Sequence, residues 1–213
     1  MHMISGLRKS AVALAAGAGL FLAASQAQAV IVWSGVVNLA IPSTTNGLYL
    51  NVLTGANNLP GSTNGATVPR WDINPYGSGS LLFYPTQPPA PANTSGYTNQ
   101  LSFGTPIGAS FIAGIVTPPV AAWNLNSTNN FVGFRFLNEG ADLASPADDT
   151  VHYGWMQLGM GASVNSRTLV SYAFESTPLT SIPAGVIPEP STYAVMGLGL
   201  AGLMVAARRR KQA

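Results

Sequence analysis

Short apolar runs alternate with turn-rich segments through most of the chain, over residues 30–176. Within one run Leu48, Leu50 and Val52 fall on the same side, and the run around Tyr172 alternates in the same way. A period of two is typical of strands with one buried face. The runs predict strands at Val30–Val37, Gly47–Leu53, Val68–Ile73, Ser80–Tyr84, Ala109–Val116, Phe131–Leu137, Val151–Leu158 and Thr168–Phe174.

The segments between these runs are rich in Gly, Pro, Asn, Ser and Thr, as in TGANNLPGSTNG and PTQPPAPANTSG. Such segments are typical of loops. Residues 30–176 contain no amphipathic helix of convincing length and no internal repeat. We therefore expect an all-β fold, an antiparallel β-sandwich or jelly roll in one domain, with residues 177–187 as a linker.

Residues 1–29 carry the features of a secretory signal peptide. Two cations precede the apolar run Ala11–Ala24, and Ala27 and Ala29 then form a small-residue cleavage site. This pattern predicts a signal helix, export through the Sec machinery and cleavage after Ala29.

Residues 193–207 form an uncharged apolar run of fifteen residues. As a helix the run would be about 22 Å long, which is short for a bilayer core, but interfacial Tyr193 and snorkelling basic side chains extend it. A buried core helix is the alternative, although four cations beside it would be hard to bury. The run predicts one transmembrane helix whose basic stop-transfer tail stays in the cytoplasm. That tail consists of Arg208, Arg209, Arg210 and Lys211.

A short turn precedes this run, made of Pro188, Glu189, Pro190 and Ser191. Together, residues 188–213 resemble the PEP-CTERM sorting signal of exported proteins in Gram-negative bacteria, many of which make exopolysaccharide. The resemblance implies processing near the Pro-Glu-Pro by exosortase, a membrane-embedded enzyme. It also implies a precursor anchored in the inner membrane and facing the periplasm, and a final place at the cell surface or in the extracellular matrix. The segment is also known as the C-terminal domain of certain ice-binding proteins.

The charges of the exported part exclude several function classes. Residues 30–187 contain three arginines and six acidic residues, a net charge of −3, so the basic ends account for the pI of about 9.1. A nucleic-acid partner is therefore not expected. The chain has no cysteine, so it forms no disulfide and carries no lipoprotein anchor. With His152 as the one histidine of this part and no G-x-S-x-G motif, we expect neither an enzyme nor a cofactor.

Two acidic stretches are candidate cation sites. DINPYG places Asp72, Asn74 and Gly77 at positions 1, 3 and 6 of a calcium loop, but Tyr76 and Phe83 stand where further ligands are needed. We expect a turn there and no metal. A second group could gather around a cation, with a solvated loop as the simpler expectation. It comprises Glu139, Asp142, Asp148 and Asp149.

The tryptophans raise the alternative of sugar binding, because aromatic faces stack on sugar rings. Trp33, Trp123 and Trp155 are candidate ligand contacts. Core packing is the competing explanation, since most of the four tryptophans, Trp71 included, lie in or beside predicted strands.

A further resemblance covers about the last third of this domain. Its three strands are similar to a pattern of many PEP-CTERM proteins, with G-F-x-F, H-Y-G-W and Y-A-[FY]-E in that order. The resemblance implies an exported all-β domain and no established activity. The matching residues are Gly133, Phe134, Phe136, His152, Tyr153, Gly154, Trp155, Tyr172, Ala173, Phe174 and Glu175.

From these observations we expect a structural or adhesive protein of the cell surface or matrix. A carbohydrate-binding module for exopolysaccharide is the alternative. An ice-binding role ranks last, because no regular array such as repeated T-x-T is present.

Overall fold

The structure is a computed structural model, and it describes residues 30–61, 63–84, 96–110, 123–140 and 147–187. The predicted signal peptide, the transmembrane helix and the sorting segment lie outside these residues.

The described residues form short and long strands joined by turns, with one 3₁₀ turn at Gly65–Thr67 and no α-helix among them. Every strand pair is antiparallel, which confirms the all-β antiparallel prediction. The strands are β1 (Ile31–Trp33), β2 (Leu39–Ala40), β3 (Asn74–Tyr76), β4 (Leu82–Tyr84), β5 (Gly96–Leu101), β6 (Pro106–Ile107), β7 (Phe131–Asn138), β8 (Thr150–Met160), β9 (Arg167–Glu175) and β10 (Ile182–Pro183).

One large sheet organises the fold, in the order β1-β9-β8-β7-β5, with β2 also pairing with β9. Strand β8 is at its centre and pairs with β7 from Phe131↔Gln157 to Asn138↔Thr150. The register of β8 with β9 shifts between Gln157 and Leu158. Two smaller sheets, β3-β4 and β6-β10, complete the described strands.

The first face of the large sheet carries the larger hydrophobic core. Phe134, Phe136 and Phe174 are buried there together with side chains from residues 41–84. Each such large apolar side chain contributes about 1.5–3 kcal/mol when it is fully buried. The side chains that residues 41–84 supply are Ile41, Leu48, Leu50, Val52, Ile73, Leu81 and Phe83.

A second core lies on the opposite face. There Trp155 and Phe131 pack with Ile107 of β6 and Ile182 of β10. Both faces of the central strands therefore carry buried apolar side chains.

Residues 177–187, the predicted linker, pack on this second face. Strand β10 lies within them, and Ile182 and Ala184 are fully buried. The packed chain therefore continues past residue 176, because apolar side chains of this segment cover Trp155.

Several predicted strands differ from those observed. Gly47–Leu53 and Val68–Ile73 are irregular and contribute isolated bridges at Leu50. Side-chain hydrogen bonds replace ladder pairing here: Oδ1 of Asn51 accepts the N–H groups of Leu53 and Thr54. Strands β2, β3, β5, β6 and β10 lie outside the predicted strands, because they are short or lack a run of apolar residues. Most of Ala109–Val116 lies outside the described residues.

Candidate functional site

The last described residues, which directly precede the Pro-Glu-Pro sequence, are hydrogen-bonded to the folded domain. The indole Nε1–H of Trp155 donates to the carbonyl of Val186 at 3.2 Å. Two residues earlier, the N–H of Ala184 donates to the carbonyl of Thr105 at 2.9 Å. Ile187 is exposed, and Pro188 follows it directly in the sequence. The fold thus holds the chain to within two residues of the Pro-Glu-Pro sequence.

The three strand motifs lie side by side on β7, β8 and β9. A Cβ on Gly154 would lie 2.3 Å from the ring of Phe134, so only glycine admits that ring. A Cβ on Gly133 would lie 3.0 Å from the side chain of Ile107 on the other face. The Phe136 ring packs against Phe174 with centroids 5.4 Å apart. These motif residues therefore build the sheet and its two cores.

His152 is buried and both of its ring nitrogens have partners. Its Nδ1 lies 2.8 Å from the carbonyl oxygen of Glu175, which can only accept, so Nδ1 carries the proton. Its Nε2 lies 2.9 Å from the hydroxyl of Thr150. The ring joins β8 to the end of β9, and neither nitrogen is open to a substrate.

The tryptophans separate into one exposed and three buried side chains. Trp33 is 38% exposed, whereas Trp155 is 1% and Trp123 9% exposed. Trp155 packs edge-on against Phe131, and Trp71 packs in the same way against Tyr49. Of the three candidate ligand contacts, Trp33 is the one whose ring solvent can reach.

Trp33 is one of four exposed apolar residues near the edge of the large sheet, which we call the edge patch. Strand β1 pairs with β9 on one side and has no partner on its other side among the described strands. Its register places Trp33 opposite Ala173, which is itself opposite Trp155. The edge patch consists of Val30, Val32, Trp33 and Val36.

Arg167 is a buried cation that is not among the predicted site residues. It is 4% exposed, and its guanidinium donates to four backbone carbonyls from three loops. Nη1 contacts Ser80 O at 2.9 Å and Val164 O at 3.4 Å, and Nη2 contacts Pro42 O at 3.1 Å and Gly77 O. The sequence feature that could have indicated this burial is the position of Arg167 directly before an apolar predicted strand.

The turn that resembles a calcium loop is held by this guanidinium. Gly77, at position 6 of the pattern, gives its carbonyl to Arg167. Asn74, at position 3, uses its Nδ2 to donate to the carbonyls of Asn46 and Leu48 at 2.8 and 3.1 Å. The Asn74 amide nitrogen and the Gly77 carbonyl thus bond neighbouring parts of the fold.

Asp72, at position 1, is a buried carboxyl group. Its Oδ2 accepts the N–H of Val52 at 2.7 Å. Burial raises the pKa of Asp72 to about 8, the Val52 hydrogen bond lowers it, and nearby Glu139 raises it further. The folded protein therefore holds this carboxyl group in its neutral form at pH 7.

The second acidic group is spread along a loop. Glu139 forms an ion pair with Arg70 at 2.7 Å, and Oδ1 of Asp149 accepts the N–H of Gly140 at 3.1 Å. Asp142 lies outside the described residues. Among the residues that the structure covers, no group of three His, Cys, Asp or Glu is placed to hold a metal ion.

The targeting residues lie outside the described ranges. These are Ala27 and Ala29 of the cleavage site, the turn Pro188 to Ser191, and the basic tail Arg208 to Lys211. No helix of the described part is long and apolar enough to cross a membrane.

Comparison with known families identifies the last part of the chain. The family model for the PEP-CTERM protein-sorting motif matches residues 186–211. Such a motif implies export, a membrane-anchored precursor and processing by exosortase. No curated protein and no solved structure matches the chain.

Replacing Arg167 with Met should strongly destabilise the fold. The change leaves four partly or fully buried carbonyls without their guanidinium donor, and we expect a loss of about 3–5 kcal/mol in the free energy of unfolding. Arg70→Met is the matched control, because its ion pair is about one-third exposed and should cost about 1 kcal/mol or less. Urea unfolding of both variants measures the difference, and equal costs would contradict the role of Arg167.

The neutral state of Asp72 predicts a pH dependence of stability. In the unfolded chain the carboxyl group has a pKa of about 3.9, so from pH 4 to pH 8 the folded state binds the extra proton. The free energy of unfolding should therefore fall by about 1.4 kcal/mol per pH unit in this range.

Asp72→Asn should remove this slope, because the amide keeps an acceptor for Val52 and does not titrate. Thermal melts between pH 4.5 and 8 test this, with Asp149→Asn as the control near the surface. A slope that persists unchanged in the Asp72 variant would show that other groups produce it.

Proposed function

Because the chain carries the PEP-CTERM sorting motif at residues 186–211, we propose that it is an exported, exosortase-sorted protein of the cell surface or extracellular matrix of a Gram-negative bacterium. Its role in this proposal is structural or adhesive, without catalytic activity. The observation that supports the proposal is the motif itself. The motif directly follows a β-domain, and Trp155 bonds Val186 among the last described residues of that domain.

In the proposed route, Sec exports the chain and the leader is cut after Ala29. Residues 193–207 then anchor the precursor in the inner membrane, with the domain in the periplasm and the basic tail in the cytoplasm. Exosortase acts near Pro188, Glu189 and Pro190. Proline neither extends a helix nor donates a backbone hydrogen bond, so this turn favours an open chain that an enzyme can bind.

The absence of catalysis in this proposal is supported by how the polar groups are used. His152 has partners on both ring nitrogens, and buried Arg167 bonds loop carbonyls. We further propose a β-sandwich or jelly roll for the domain. Buried apolar clusters on both faces of the large sheet support that architecture.

An adhesive role is supported by the edge patch. Exposed Val32 and Trp33 lie on β1, which has no partner on its outer side among the described strands, and exposed Val36 follows that strand. Unpaired strand edges with apolar side chains favour association with other chains.

Replacing Glu189 with Gln tests sorting. The change removes the charge of the turn and leaves the apolar run intact, so insertion should be normal while processing fails. Glu189→Asp keeps the charge and is the matched control. Immunoblots of membrane and medium fractions, in a host that has exosortase, should show the Gln variant as an unprocessed membrane form. Equal processing of all three chains would exclude recognition of the carboxylate.

Carbohydrate binding is the second candidate function, and the exposed ring of Trp33 favours it. Aromatic rings at a surface offer a flat apolar face to a sugar ring, and Trp33 is the tryptophan placed to do so. An ice-binding role has only the alternative name of the tail in its support.

Trp33→Ala distinguishes the first two functions. If the domain binds exopolysaccharide through this ring, the variant should bind about tenfold more weakly in isothermal titration with the purified polysaccharide. Phe103→Ala removes another exposed aromatic ring and should have no effect. Absence of binding by the unmodified protein would exclude the carbohydrate function and leave the structural or adhesive one.

A further inference from the structure

Glu175 is an acidic side chain in an unusual position. It ends β9 and is 1% exposed. Its Oε1 accepts two backbone N–H groups, from Val30 at 2.9 Å and from Thr177 at 2.8 Å. Both donors are neutral amides in the full-length chain. A buried carboxylate is costly unless a cation compensates its charge.

Two of the arginines in the described residues are engaged elsewhere. Arg70 forms an ion pair with Glu139. Arg167 uses its guanidinium on loop carbonyls. The neighbouring His152 contacts the backbone carbonyl of Glu175 and not its carboxylate.

The position of the Val30 nitrogen is set by the sheet. Ile31 pairs with Glu175 in the β1–β9 register, and the N–H of Ser176 donates to the carbonyl of Val30 at 3.0 Å. This pairing brings the nitrogen to the carboxylate. Val30 itself is 54% exposed, so its nitrogen lies at the rim of the buried site.

Val30 is also the residue that follows the predicted signal cleavage site, Ala27-Gln28-Ala29. Hydrolysis there adds one water across the Ala29–Val30 amide. Ala29 leaves as a carboxylate, and the Val30 nitrogen becomes an amine that takes up a proton near neutral pH.

We propose that Glu175 is the binding site for the new α-ammonium group of Val30, so that removal of the leader completes an ion pair between β1 and β9. The inference rests on the proposed export and cleavage after Ala29. An ammonium group offers three N–H donors and a positive charge where the amide offers one neutral donor, and charge-assisted hydrogen bonds are about twice as strong as neutral ones. Cleavage therefore strengthens the attachment of β1 to β9.

The inference makes the exported domain more stable after cleavage than before it. The leader-bearing chain offers this carboxylate the neutral amide of Val30, whereas the cleaved chain offers it an ammonium group at the same position. Processing at one end of the domain thus acts on β9, the neighbour of the central strand β8, through one side chain.

The test uses the full chain with Lys211→Arg, exported in a host without exosortase and purified in detergent. From Val30 onward the chain has a single lysine, so this variant carries the α-amine as its one reactive amine. N-terminal sequencing should give Val30. Acetylation of the α-amine should lower the melting temperature by about 5 °C, because it restores a neutral amide at the same position.

The same acetylation in a Glu175→Gln background is the matched control and should leave the melting temperature unchanged. If that variant does not fold, the acetylation rate of the α-amine replaces it. That rate should be at least about tenfold slower in the folded chain than in urea, because an ammonium held by a carboxylate is a poor nucleophile.

The outcomes separate the inference from the proposed function. A chain that begins at another residue would overturn the inference together with the cleavage site, while the Glu189 variants still test sorting independently. A chain that begins at Val30 but melts at the same temperature after acetylation would overturn the ion pair alone. An equal shift in the Glu175→Gln background would also overturn it.

Discussion

The pairing of β8 with β7 on one side and β9 on the other is the constraint on which the rest of the structure depends. Because both faces of these strands carry buried apolar side chains, their register decides which side chains enter each of the two cores. The register places Phe134 opposite Gly154, where a Cβ would collide with the ring. It places Trp155 on the opposite face, where the returning segment of residues 177–187 covers it. A one-residue slip would exchange the two faces and abolish both cores.

The fold contains few charged side chains, and neutral polar side chains form most of the hydrogen bonds that hold its loops. A chain without cysteine cannot fasten long loops with disulfides. Buried amide side chains bond loop backbones instead, as Asn58 does with Tyr49 and Thr63. Arg167 adds four bonds to three loops and is the cation that the fold buries most completely among the described residues. Other buried asparagines of this kind are Asn51, Asn74 and Asn130.

Both ends of the described domain are held by neighbouring strands of the same sheet. The first residues pair with β9, and Val186 is bonded by Trp155 of β8. The predicted leader and the sorting motif are therefore attached to the folded sheet with hardly any intervening chain. Under the proposed function, leader cleavage and exosortase processing both act directly beside the core. The stability of β8 and β9 therefore affects both processing events.

The sequence by itself determined the class of the fold, the sorting motif and the central strands, because each depends on a local pattern. Alternation and turn residues indicate strands wherever a strand is long, as in β7, β8 and β9. It could not determine that residues 47–53 are irregular, or that residues 177–187 complete a core, since both depend on contacts with distant parts of the chain. The roles of single residues were decided in the same way. Trp33 and Trp155 both lie in predicted strands, and only the sheet order leaves one exposed and buries the other. Arg167 and Glu175 were isolated charges in the sequence, and only the tertiary structure placed one against loop carbonyls and the other against Val30.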